Sequence, residues 1–165
     1  MDLWGVLKRL SIVELYRLAV LTLKYPIYII PTIKATKRTL IICDTYYGTS
    51  HHKNGKENAF RHALWNVLIC QKTFKITKKT RKSTNWAQKI TDLHEKLAPN
   101  EPLENCMDLH NNEMGRKFFN DLLYSSEEEI VSFLIQETQK AKEIIEINDV
   151  VNLKNSLVYF LEKPD

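Results

Sequence analysis

Apolar residues recur three and four positions apart along almost the whole of this chain, and very little interrupts them. That spacing is what helices burying one face require. Only four glycines and five prolines are spread over the 165 residues, too few turn formers for a sandwich or barrel of many short strands. The length suits one domain with a core of its own. The expectation is an all-α, single-domain bundle of about six helices, without internal repeats or a strand pattern. Residues 1–165 then divide into basic amphipathic helices over 1–47, a motif-bearing core over 54–123 and closing helices over 124–165.

The element boundaries follow from local signals. Leu3, Val6, Leu10, Val13, Leu18 and Leu21 can share one stripe of a first helix over 3–24, with Lys8, Arg9 and Arg17 beyond it. Such a helix either packs on the domain or lies on a bilayer, with Trp4, Tyr16, Tyr25 and Tyr28 as interfacial rings. Pro26 and Pro31 predict an extended or kinked connector between them, and a helix resumes over Thr36–Tyr47, stopping near Gly48. Asn54, with Glu57 three residues on, reads as the N-cap and capping-box acid of a core helix running to about Cys70. The lysine-rich stretch Lys72–Ser83 reads as a solvated loop or helix end. Ser83 or Thr84 then caps a helix over 86–97, which Pro99 and Pro102 terminate. Asn105 or Cys106 opens the next helix, through Leu122. Ser126 and Glu129 form another capping box, for a helix with Ile130, Leu134, Ile144 and Ile147 on its face, and a last helix spans about Val150–Leu161.

Charge is distributed unevenly. Residues 1–82 hold sixteen Lys and Arg against four Asp and Glu, a balance of +12, and residues 83–165 hold eight against sixteen, a balance of −8. A basic front half suits an anionic partner, unless the two halves simply attract each other across the fold. Cys43, Cys70 and Cys106 are odd in number and lack metal-ligand spacing, so they are expected as free thiols. Glu14, Arg17, Lys24, Pro26 and Pro31 break the apolar stretch Leu10–Ile33 before it reaches the roughly 20 residues a membrane span needs. The start lacks a basic segment followed by an apolar run and a cleavage site, which predicts synthesis in the cytoplasm without a signal peptide.

Three polar knots interrupt segments that otherwise read as buried helix: Asn58–Asn66, Asp92–Glu95 and Asp108–Asn112. A core gains nothing from an ionisable group unless it is paired, because desolvation is costly. Three such interruptions point to one composite site. His62 and Asn66 lie four apart on one helix face, with Arg61 and Trp65 alongside. On the second helix His94 shares a face with Ile90 and Leu97 and so is expected to point inward, with Glu95 beside it. On the third, Asp108, Asn112 and Arg116 form one row, while Asn111 and Gly115 form another, the glycine leaving room for a second helix. His51 and His52 read as loop surface with a conceivable metal role, and His110 points away from the Asp108 row.

Two schemes fit these residues. In one, His62 is a general base that activates water, Asp108 fixes its tautomer, and Arg116 or an asparagine steadies the oxyanion. In the other, His62, His94 and Asp108 or Glu95 bind a divalent metal whose water is the nucleophile. No cofactor is certain beyond that possible ion. The zincin motif H-E-x-x-H is absent, since Lys96-Leu97-Ala98 follows Glu95.

The blocks Ala59-Phe60-Arg61-His62-Ala63-Leu64-Trp65-Asn66, His94-Glu95 and Asp108-Leu109-His110-Asn111-Asn112 through Gly115-Arg116 resemble an uncharacterised bacterial domain family patterned A-F-R-H-A-x-W-N, H-E, D-L-x-N-N-x-x-G-R. The resemblance covers about residues 54–118, with Asn58 where an acid is expected. Members look like terminal modules of secreted or toxin-type proteins. Arg61-His62 followed by an aromatic and Asn66 is also similar to the R-H-D-x-x-Y-x-N helix of prokaryotic phospholipase A2 enzymes. That similarity implies a helix-borne His base oriented by an Asp from a neighbouring helix. Ala63 replaces the calcium-binding Asp of that motif.

The expectation taken forward is a hydrolase-like domain acting on phospholipid or another anionic envelope substrate, in an antibacterial toxin or effector setting. His62, His94, Glu95, Asp108 and Arg116 would be catalytic, with Arg61, Trp65, Asn66, Asn111 and Asn112 binding substrate. The expected partners are an anionic membrane or lipid surface, peripherally bound after export, and a cognate immunity protein. A non-enzymatic binding module is the main alternative. A nuclease using the Lys72–Lys82 cluster is another, although no aromatics interleave those lysines and no nucleic-acid partner is expected.

Overall fold

A computed structural model describes residues 12–97 and 101–161 of the chain. Seven α-helices order the described residues: α1 (Ile12–Lys24), α2 (Pro26–Tyr47), α3 (Lys56–Thr77), α4 (Thr80–Leu97), α5 (Pro102–Asp121), α6 (Glu127–Gln139) and α7 (Ile147–Asn152). A 3₁₀ turn, Ser50–His52, joins α2 to α3. The domain is all-α, as the spacing predicts. One departure is a parallel ladder of two residues per strand, β1 (Lys142–Glu143) and β2 (Val158–Tyr159), pairing Lys142 with Val158 and Glu143 with Tyr159. The final helix expected over Val150–Leu161 is therefore only the short α7, followed by a turn and β2. The Trp4 end of the expected first helix and Pro99 lie outside the described residues.

α3 is the central element. Phe60, Leu64, Val67, Leu68 and Ile69 are fully or almost fully buried, and so are its polar Asn58, His62, Asn66 and Thr73. A helix enclosed on every side must satisfy each polar side chain inside the protein. α2, α4, α5 and α6 pack around it, bringing Ile42, Trp86, Met114, Phe119, Ile130 and Leu134 into one core. Gly115 on α5 makes the closest crossing possible. A Cβ built there would stand 2.4 Å from the Ala63 carbonyl oxygen and 2.9 Å from the Asn66 Cβ.

Several boundaries differ from expectation for identifiable reasons. Pro26 opens α2 instead of breaking it, because the first helical residue needs no N–H partner. Pro31 then forfeits only one rung, to the Ile27 carbonyl, and the helix continues to Tyr47. Gly48 ends it with φ +56°. Asn54 does not cap α3: the cap residue is Gly55, and the Asn54 amide donates to Glu104 Oε1 at 2.6 Å. α3 runs on through the lysine-rich stretch to Thr77, where Lys78 turns left-handed at φ 51°. Ser83 caps nothing. It is buried one turn inside α4 and is hydrogen-bonded to Thr77 at 2.8 Å. α5 likewise starts at Pro102 rather than Asn105. The Ser126–Glu129 capping box is present on α6 as expected. Ile130 and Leu134 are buried on its face, Ile144 is buried beyond its end, and Ile147 is exposed.

The cysteines are free, with Cys43 and Cys70 buried. Burial pushes the Cys43 thiol up to about 12, so it is an inert core group. None of the described helices is long and apolar enough to cross a membrane.

Candidate functional site

The three polar knots meet where α3, α4 and α5 face one another. His62 is 2% exposed and sits between the two later blocks. Its Nδ1 lies 3.1 Å from Asn112 Oδ1 and 3.8 Å from Glu95 Oε1, and its Nε2 lies 3.2 Å from Asp108 Oδ1. Asp108, Asn112 and Glu95 are all buried, at 3%, 0% and 4% exposure, so these are interior contacts on the order of those that decide pKa values.

The amides fix the tautomer of His62. Asn66 Nδ2 donates to Asn112 Oδ1 at 2.7 Å, and Asn112 Nδ2 donates to Glu95 Oε1 at 2.9 Å. Asn112 therefore presents its carbonyl oxygen to His62 Nδ1, which must carry the proton. Nε2 is left with the lone pair, and Arg61 donates to it at 2.9 Å. Asp108 was expected to set the tautomer. That part falls to Asn112, and Asp108 instead stands beside the unprotonated nitrogen, where it would stabilise an arriving proton.

Burial, foremost, and the charge of Arg61 hold the His62 pKa well below its ordinary value, so the imidazole is neutral at pH 7. Burial also raises the Glu95 carboxyl to about 7, against opposing pulls from Asn112 and Arg61. The two groups thus titrate on the far side of their usual order, an arrangement common in sites that move protons.

The inward-facing residue of the second knot is Glu95, not His94. A helix turns 100° between neighbours, and the face carrying Trp86, Ala87 and Thr91 into the core continues to Glu95. His94 is displaced to the surface, its ring edge-on to Trp65 at 5.1 Å. It remains part of the same cleft, a hollow of about 260 Å³ lined by Leu40, His52, Arg61, His62, Trp65 and His94 together with Thr36 and Thr39. Trp65 is held there by donating to Thr36 Oγ1 at 2.8 Å.

Arg116 reaches the cluster from behind. Its guanidinium donates to Asn66 Oδ1 at 3.1 Å and to Thr91 Oγ1 at 3.3 Å, and it borders a second hollow with Asp92, Glu95 and Glu113. The guanidinium poised at His62 is that of Arg61. Asn111 is turned away altogether, exchanging 2.8 Å and 3.0 Å hydrogen bonds with the backbone of Val158 on β2. His110 is likewise spent on the Ser156 carbonyl.

The sequence places His51 on a surface loop, but it is wholly buried. Its Nε2 pairs with Asp44 at 2.9 Å, and its carbonyl accepts from Arg61. Nothing in the local sequence marks this, because the burial comes from α3 packing over the 3₁₀ turn.

Among the described residues, two groupings have metal-ligand chemistry: His62, Glu95 and Asp108, all buried, and Asp44, His51 and His52. In each, one donor atom per residue lies within 4.8 Å of the others. His94, assigned to a possible metal set from the sequence, belongs to neither.

No curated protein and no solved structure matches the chain. A family model does, over residues 19–142, spanning α2 to α6 and every residue of the buried cluster. The chain belongs to the family described as a domain of unknown function, DUF6973.

Proposed function

We propose that this domain is a hydrolase that uses His62 as a general base on an ester of an anionic, partly apolar substrate, with phospholipid as the substrate class. The observation that carries this reading is the neutral His62 on the floor of a cleft whose walls are cationic and apolar at once. Arg61 supplies the cationic character, and Leu40 and Trp65 the apolar surface, while burial and Arg61 hold the His52 and His94 rings toward their neutral forms.

The chemistry runs through the Nε2 lone pair. An anionic headgroup draws the Arg61 guanidinium outward, freeing Nε2 to take a proton from water. The hydroxide so formed attacks the ester carbonyl, and Arg61 balances the resulting oxyanion. Asp108 stabilises the imidazolium from 3.2 Å, while Asn112 keeps Nδ1 protonated throughout. Collapse of the tetrahedral intermediate breaks the bond to the leaving alkoxide, which recovers the proton from Nε2.

The donor set of His62, Glu95 and Asp108 suits a divalent ion by type, with two carboxylates and an imidazole. Charge balance favours the ion-free scheme. Arg61 already faces both carboxylates and occupies the only lone pair on His62. An antibacterial effector setting with a cognate immunity protein is the biological context that fits this substrate class.

The test is fatty-acid release from phosphatidylglycerol vesicles by the full chain. His62→Ala should abolish turnover while the thermal unfolding transition persists. Asp108→Asn should lower kcat by roughly 10²-fold or more, as expected for removing the group that stabilises the protonated base. No turnover on any anionic ester, together with His62→Ala failing to fold, would assign the cluster to a structural hydrogen-bond network in a binding module.

A further inference from the structure

A second set of ligand-type groups lies on the rim of the cleft, where α2 ends. Asp44 projects from the last turn of α2, and His51 and His52 belong to the 3₁₀ turn Ser50–His52. Successive side chains on a 3₁₀ turn diverge by roughly 120°, yet these two rings approach to 4.0 Å between centroids, so both have swung to one side. Asp44 and His52 are open to solvent, which gives an ion a route in, while His51 is enclosed and rigidly placed.

The hydrogen-bonding of His51 is incomplete. Its Nε2 is paired with the Asp44 carboxylate, but its Nδ1 is buried and makes no hydrogen bond among the described residues. Nε2 is thus the ring atom aimed at Asp44 and the one that an ion shared with Asp44 would take. The last turn of α2 contributes further, since the unpaired carbonyls of a helix C-terminus place partial negative charge there.

We propose that Asp44, His51 and His52 form a binding site for a single zinc ion. Two imidazoles and a carboxylate are ligands of the right softness and number for Zn²⁺, with solvent completing the tetrahedron. The ion would also act on the larger cleft. Arg61 donates to the His51 carbonyl through one guanidinium nitrogen and to His62 Nε2 through another, so fixing His51 fixes the group that covers His62.

The proposal is independent of hydrolysis, because its readout is metal content. The full chain, stripped with chelator and dialysed against zinc chloride near neutral pH, should retain one zinc per chain. His52→Ala and Asp44→Ala, both at solvent-open positions, should each weaken retention by about tenfold or more. Glu95→Gln should leave it unchanged. Three results would overturn the assignment: absence of saturable zinc, wild-type affinity in either rim variant, or loss of zinc in Glu95→Gln, which would move the ion to the His62 cluster.

Discussion

Glu95 is held in a setting that ordinary carboxyl groups avoid. It is 4% exposed, and burial lifts its pKa from 4.5 to about 7. Between those values the folded protein binds a proton that the unfolded chain has already released, so this group's contribution is present in full below about pH 4.5 and fades as pH rises through 7. At about 1.4 kcal/mol per pKa unit the shift corresponds to on the order of 3 kcal/mol. Glu95→Gln keeps an oxygen for the Asn112 amide and removes the charge. Measured by denaturant unfolding, the variant should match wild type near pH 4 and exceed it by up to about 3 kcal/mol near pH 8. An equal gap at both pH values would mean that Glu95 is not neutralised by burial. The same residue marks how far the sequence could be read. That a carboxylate, an imidazole and amides converge was legible from three polar knots on helical spacing. Which member of His94-Glu95 faces inward was not, because Ile90 and Leu97 place His94 on an apolar face while the packed face is set by Trp86, Ala87 and Thr91. His51 was legible only as a loop residue, since its enclosure depends on α3 passing over it.

At the scale of elements, the α3–α5 crossing holds the site together. The two helices carry His62 and Asn66 on one side and Asp108 and Asn112 on the other, and Gly115 sets their separation. The glycine was recognisable in the sequence as a place for close approach, and a Cβ there would indeed meet the Ala63 backbone at 2.4 Å. Backbone cannot move aside as a flexible side chain can. Gly115→Ala should therefore cost about 1–3 kcal/mol of stability despite the better helix propensity of alanine. It should also lengthen the Asn66–Asn112 hydrogen bond and depress turnover further than the stability loss alone accounts for. Chemical denaturation combined with activity at a temperature where both forms are folded separates the two effects. A neutral or stabilising alanine would mean that the crossing is looser than this geometry. Helix ends were harder to read than helix faces. Pro26, Ser83 and Asn54 carry genuine terminus signals, but each is satisfied elsewhere, by an N1 position, by Thr77 and by Glu104.

Across the whole molecule, part of the charge asymmetry is consumed internally. Arg38 pairs with Glu127, and Arg61 faces the acids of α4 and α5. Much of the basic half is left facing outward, and it adjoins an apolar stripe. Tyr16, Val20 and Leu23 on α1 are exposed at 69%, 42% and 82%, and Ile27 and Ile30, past the non-helical Tyr25 at the start of α2, at 59% and 64%. Lys24, Lys34 and Lys37 are exposed on the same two helices. That combination is what a helix lying in the plane of an anionic bilayer presents, with apolar side chains entering the acyl boundary and lysines meeting the headgroups. α2 also supplies Thr36, Thr39 and Leu40 to the cleft, so a surface held by this helix would lie beside the proposed ester site. The expected behaviour is co-sedimentation with phosphatidylglycerol vesicles, weakened by salt and absent with phosphatidylcholine alone. Leu23→Glu and Ile27→Glu alter side chains that contribute little to the core, so folding should be unaffected. Each should reduce vesicle binding by roughly tenfold or more, since a leucine-sized side chain is worth about 2 kcal/mol when removed from water. Hydrolysis of a soluble, monomeric anionic ester should survive both changes. Loss of activity on that soluble substrate would place these residues in the catalytic fold itself, and unchanged vesicle binding would leave the stripe to some other contact.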